Sequence, residues 1–134
     1  MARLAEIEGI GKSHAVKLKK AGVGSQGSLL KQGASKKGRK QIAADSGLSE
    51  KLVLTWVNRA DLARVKGVGG QYGELLEAAG VDTVPELATR NAANLRTKMA
   101  DVNAKKKLVR QLPAEKQVAS WIAQAKKLKR VVEY

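Results

Sequence analysis

A stretch near the start of the chain, IEGIGKSHAVKLKKAGV (residues 7–23), returns as VKGVGGQYGELLEAAGV at residues 65–81. Slid against itself by 58 positions, the sequence aligns Gly9 with Gly67, Gly11 with Gly69, Leu18 with Leu76 and Leu29 with Leu87, and the triplet Ala21, Gly22, Val23 meets Ala79, Gly80, Val81. After a further shift, Thr55, Trp56 and Val57 match Ser120, Trp121 and Ile122. The duplication therefore takes in almost the whole chain, with a short insertion around KKKLVRQLP in the second copy. A repeat of this period constrains the fold strongly, because both copies must form the same supersecondary unit. It divides the 134 residues into a first repeat, 1–64, and a second, 65–134, which ends in a basic C-terminal tail.

Both copies read as helices. In each, a Gly-apolar-Gly turn opens an apolar-periodic helix of about ten residues. That helix stops at Ala-Gly-Val, where glycine suits a left-handed cap. A short helix follows, SLLKQG in one copy and VPELATR in the other, with Pro85 placed near its start. Two longer helices then span residues 36–46 and 49–64 in the first copy, and 92–110 and 114–129 in the second. Ser49 has the position of an N-cap and Pro113 begins the last helix. No window alternates strictly enough for a strand. Phe is absent and aromatics total 3%, so the core must be built from Leu, Val, Ile and Ala. The expected fold is all-α: two tandem repeats packed as one compact helical domain.

The charge narrows the partner. With 26 basic and 12 acidic side chains the chain carries +14, a field that attracts polyanions. No apolar run approaches the roughly 20 residues that span a bilayer, and no amphipathic segment has the aromatic edge of an interfacial helix, so no membrane role is expected. MARLAEIEGIG lacks the apolar core of a secretory signal. The expected location is cytoplasmic, associated with the nucleoid. With no cysteine, disulfides and thiolate metal sites are excluded.

The pattern apolar-x-Gly-apolar-Gly opening a helix resembles the helix-hairpin-helix motif of DNA repair and replication proteins. In the second copy LSEKLVLTWVNRADLARV supplies the first helix, KGVGG the hairpin and QYGELLEAAG the second helix; in the first copy the leading helix is cut to ARLAEI. The arrangement as a whole also resembles an uncharacterised bacterial family with paired helix-hairpin-helix units, classed as a domain of unknown function. The resemblance implies that phosphates are held by backbone N–H groups around the hairpin and the next first turn. On this chain those are Gly9, Gly11, Ser13 and His14, with counterparts Gly67, Gly69, Gln71 and Tyr72. Some proteins with the motif hold a monovalent cation on hairpin carbonyls, here near Ile7 and Ile10 or Val65 and Val68; no other cofactor is expected. The physics is general. Glycines remove side chains that would keep a phosphate away, and a helix start offers unpaired N–H groups and a positive dipole end.

The two copies differ in charge. Residues 7–40 carry Lys12, Lys17, Lys19, Lys20, Lys31, Lys36, Lys37, Arg39 and Lys40 against Glu8, a surplus of +8, whereas residues 65–98 balance Lys66, Arg90, Arg96 and Lys98 against Glu74, Glu77, Asp82 and Glu86. The first copy is therefore the expected binder, with Lys12, Lys17, Lys19, Lys20, Lys36, Lys37, Arg39 and Lys40 beside its hairpin. The expected function is non-catalytic binding of double-stranded DNA through phosphates, with little sequence preference. Structured RNA offers the same contacts, and paired helical motifs also serve as protein-interaction modules; oligomeric state is open.

Other motifs fall away. GKS at residues 11–13 has Glu6 where a phosphate-binding loop needs its first glycine. His14 is the one histidine, and the acids are scattered, so neither a catalytic set nor a magnesium cluster is legible. Trp56 and Trp121 occupy equivalent apolar positions and are expected in the core.

Overall fold

The computed structural model describes residues 10–68 and 71–133. Among these the structure is helical without a strand: α1 Lys12–Lys20, α2 Gln26–Gln32, α3 Lys36–Ser46, α4 Glu50–Leu62, α5 Gln71–Ala78, α6 Val84–Ala88, α7 Ala92–Lys106 and α8 Glu115–Lys127. The all-α class follows directly. The leading segment ARLAEI, together with Gly9 and Gly69, lies outside the described residues. The chain divides into two compact units, Met1–Asp61 with Arg130–Tyr134, and Leu62–Lys129.

The duplication reaches down to single hydrogen bonds. In the first unit Val23 N–H donates to Leu18 O at 2.9 Å around left-handed Gly22, and in the second Val81 N–H donates to Leu76 O at 2.8 Å around left-handed Gly80. Each is the six-to-one bond that closes a helix by a Schellman turn. The carbonyl of the left-handed glycine is then held from the end of the next short helix: Gln32 Nε2 donates to Gly22 O and Arg90 Nη2 to Gly80 O, both at 3.0 Å. One polar contact survives a change from amide to guanidinium because both groups donate. Ser25 caps α2 by accepting from Ser28 N–H, and Thr83 caps α6 by accepting from Glu86 N–H.

Each unit has its own core. In the first, Leu18, Val23, Leu29, Ile42, Val53, Trp56 and Val57 are buried together. In the second, Leu75, Leu76, Val81, Leu87, Met99, Val118, Trp121 and Ile122 do the same. Both tryptophans are in the core, as their repeat positions imply. Each also carries a ring from the start of the glycine-led helix: His14 on Trp56 at 5.1 Å, and Tyr72 on Trp121 at 5.5 Å, both tilted. Since His14 and Tyr72 are repeat equivalents, the aromatic pair is duplicated too.

Three segments differ from the sequence expectation. Helix α4 stops at Leu62, where Val65 N–H bonds back to Leu62 O and begins a turn. Helix α7 stops at Lys106 rather than near residue 110, with Lys107 in the left-handed conformation at φ 51°. The cause is Asn103: its Nδ2 donates to Val109 O and its Oδ1 accepts from Val109 N–H, so the chain folds back and buries Val109. The segment read as a basic C-terminal tail is bonded to the folded chain. Arg64 donates to Lys129 O, Val132 is buried in the first unit's core, and Glu133 N–H donates to Ala34 O at 2.6 Å.

The joint between α2 and α3 is the tightest point of the first unit. Gly33 and Gly38 sit there, and a Cβ at Gly38 would fall 1.9 Å from Gln32 O. That atom is backbone and cannot swing aside. Gly38→Ala is expected to lose about 2 kcal/mol, read as a lowered urea midpoint with an unchanged slope.

Candidate nucleic-acid interface

Helix α1 begins without a side-chain cap. Its N-cap is Gly11, in extended conformation at φ −81°, and no side chain caps the helix. An ordinary residue adopts that conformation, and a Cβ at Gly11 would meet nothing within 4 Å. Glycine is thus not demanded there by torsion or by packing. What it supplies is empty space before the N–H groups of Lys12, Ser13 and His14. Beyond the first intrahelical bond, Ala15 N–H to Gly11 O, those three donors meet no acceptor among the described residues. Gly11, Lys12 and Ser13 are exposed, and no acid lies in the first turn to oppose an incoming anion. The His14 ring faces inward against Trp56, so only its main chain can serve the site.

Lysines surround this helix. At about 100° per residue, Lys12, Ser13, Lys17 and Lys20 fall on one face of α1, opposite buried Leu18. Lys19 flanks them, and all of these lysines are exposed. Lys36, Lys37 and Lys40 are exposed on α3, whose first turn also lacks an acid. Among the described residues none of these lysine side chains has an ion pair. Arg39, grouped with them by sequence, is placed differently. It is 5% exposed, and its Nη1 donates to Gly33 O at 2.9 Å and Ala34 O at 3.1 Å. It pins the α2–α3 joint and is withdrawn from the surface set. Its spacing three residues before Ile42 puts it on α3's buried side, a signal present in the sequence.

The corresponding turn in the second unit is occupied by the protein's own groups. Gly67 is left-handed at φ 96°, and a Cβ there would lie 2.9 Å from Trp121 Nε1. Lys66 N–H donates to Gln124 Oε1 at 2.9 Å, while Gln124 Nε2 donates to Lys66 O at 3.2 Å. Tyr72, a candidate for nucleic-acid contact, spends its hydroxyl on Gln111 O at 3.1 Å. Gln71 is exposed at the first position of α5, and Glu74 follows in the first turn. Gln124 carries this difference, and sequence reasoning missed it. In the register that aligns Trp121 with Trp56, its counterpart is Arg59. A guanidinium has no lone pair with which to accept an amide N–H.

The carbonyl of Val65, considered for a monovalent cation, accepts Val68 N–H at 3.1 Å; Ile7 lies outside the described residues. Acids crowd the end of α5 instead. The Asp82 carboxyl is raised above its ordinary 3.8 by burial first, with a backbone hydrogen bond opposing and Glu77 and Glu86 adding repulsion. The charge balance read from sequence is thus a local field in the second unit, negative near Asp82.

Residues 8–128 match the model of a family described as a domain of unknown function (DUF4332). No curated protein and no solved structure matches the chain.

Arg39→Met is expected to cost about 2 kcal/mol by removing the donor that Gly33 O and Ala34 O share, measured by urea unfolding, with the salt dependence of any polyanion binding unchanged. Replacing Lys36, Lys37 and Lys40 by Gln should do the reverse. Because Asp82 binds its proton more tightly folded than unfolded, its contribution to stability is fully present below its unfolded value and is lost as pH rises through its folded one. The advantage in Tm of Asp82→Asn over the parent should therefore grow as pH climbs through the carboxylate range; a difference flat with pH would remove this account.

Proposed function

The chain belongs to the family described as a domain of unknown function (DUF4332), and since that description carries no activity, we propose from the residues themselves that it is a non-catalytic DNA-binding protein. On this reading the two units are tandem helix-hairpin-helix repeats, and the first grips double-stranded DNA by its phosphates with little regard for sequence. The observation that carries it is the start of α1, where no side chain caps the helix and a Cβ at Gly11 would meet nothing within 4 Å, beside exposed lysines of α1 and α3.

The chemistry is additive and plain. Unused N–H groups and the positive end of α1 favour a phosphate oxygen. Lys12, Lys17 and Lys20 on the same helix face, joined by Lys36, Lys37 and Lys40, add charge without reading bases. Such contacts release counterions, so affinity must fall steeply with salt. The second repeat supports the fold and is the weaker site at its hairpin. A protein of this kind would act at the nucleoid, in the cytoplasm.

With about six phosphate contacts, the slope of log affinity against log salt for a labelled duplex should be roughly −5, read by gel shift over several salt concentrations. Gly11→Val should weaken binding about tenfold, the scale of one charge-assisted contact, while the helical circular dichroism stays unchanged. Lys66→Gln should change little. Affinity indifferent to salt would remove the electrostatic mechanism. Capture of structured RNA in preference to duplex DNA would move the same contacts to the other nucleic acid, and absence of binding to both would leave the protein-interaction reading.

A further inference from the structure

We infer that the segment inserted in the second unit is a docking edge of its own for a phosphodiester strand, formed by Lys98 and Lys105 on α7, Lys106 and Lys107 at its end, and Arg110 in the connection that follows. The inference rests on the nucleic-acid reading above and assigns the second repeat a contact surface away from its hairpin.

The first repeat has no such segment. There α3 ends at Ser46, Gly47 closes it at φ 76°, and α4 starts at Glu50. In the second unit residues 107–114 separate α7 from α8. An insertion of this size with a polar sequence ordinarily makes a loose surface loop. This one is held at three places: Val109 by both polar ends of Asn103, Gln111 O by the Tyr72 hydroxyl, and Pro113 O by Arg96 Nε at 3.0 Å. The polar ends of Asn103 and Arg96 and the Tyr72 hydroxyl thus hold the connection from behind, while the cations face solvent. Lys98, Lys105, Lys106, Lys107 and Arg110 are all exposed, and among the described residues none of their side chains has an ion pair or hydrogen bond. Against the lone Asp101, residues 98–110 carry a surplus of +4.

Lys107 sharpens the case. Its φ of 51° is the one left-handed backbone angle outside glycine among the described residues. At the same closing position of α3 the chain uses Gly47. A lysine there is conformationally unfavourable relative to glycine, so the fold gains nothing from its side chain. Its ammonium, next to Lys106 and three residues before Arg110, contributes to a charged line instead.

Shape and composition select the partner. Lys98 and Lys105 lie seven residues apart on α7, about 10 Å along its axis, and flank a shallow groove of about 330 Å³ that Asn94 and Thr97 also line. Beyond the helix end, Arg110 borders a second cleft of about 290 Å³ with Gln71 and Tyr72, at the start of α5. Cations and neutral donors thus follow one another along the edge, with Asp101 the one acid lining the first groove. The large exposed apolar side chains among the described residues, Val16 and Leu52, are both in the other unit. A protein–protein interface is built around an apolar centre, which this edge lacks; a polar, strongly cationic strip is what a phosphate strand needs.

The test uses the full chain and a labelled 30-base-pair DNA duplex, with a structured RNA hairpin in parallel, over a salt series. Replacing Lys98, Lys105, Lys106 and Arg110 by Gln should leave the helical circular dichroism unchanged and make the salt slope shallower by about 3. Lys107→Gly should raise Tm by about 3 °C and make the slope shallower by about 1, so that stability and affinity move in opposite directions. If the parent protein binds and Gly11→Val weakens it, yet the four-fold variant and Lys107→Gly keep the parent's slope, the edge is overturned and the hairpin reading stands. If the parent binds neither nucleic acid, both fall together.

Discussion

A helix cannot begin without leaving main-chain N–H groups short of an acceptor, and how those groups are satisfied organises this molecule. Most starts use a side chain from the residue just outside: Ser25, Ser35, Ser49, Thr83 and Asn91 each accept from the first turn. Helix α8 uses Gln117, reaching back to Ala114 N–H. Helices α1 and α8 begin without a side-chain cap, at Gly11 and Ala114. Glycine at a cap position costs only about a few tenths of a kcal/mol relative to Ser or Asn, so Gly11 leaves α1 nearly as stable while placing no side chain beside its first N–H groups.

The two copies keep some elements and differ in others. The elements that hold the repeat together are the ones kept in register: the Ala-Gly-Val closure, the donor onto the glycine carbonyl, and the ring stacked on a core tryptophan. The elements that changed lie around the turn. Where one copy places Arg59, the other places Gln124, whose amide donates and accepts at once and so closes both backbone groups of Lys66.

Much of this was legible before any coordinates. Helices α3 and α6 are where Ser35, Gly47, Thr83 and Pro85 put them, because capping is a local matter decided by neighbours in sequence. The open turn was legible as well, since glycine and unopposed lysine are visible as letters. What failed was tertiary. Arg39 sits inside KKGRK and reads as one more solvated cation, but the carbonyls of Gly33 and Ala34 draw it inward. The early stop of α7 depends on Asn103 finding Val109 six residues on, a pairing no propensity foretells. Tyr72 and Gln124 were likewise claimed by partners distant in sequence, Gln111 and Lys66.

The return of residues 130–133 has a bearing on how the two halves can be handled. Val132 fills a place in a core otherwise made by residues 10–60, and Arg130 Nε donates to Val132 O to shape the approach. A scissor cut at the repeat boundary would therefore not yield two self-sufficient miniatures. The leading fragment would lack its closing plug, and the trailing fragment would carry a greasy end with no socket. Whatever gene doubling produced, the polypeptide has since become interleaved, and any dissection of one repeat must graft these few terminal residues back onto it.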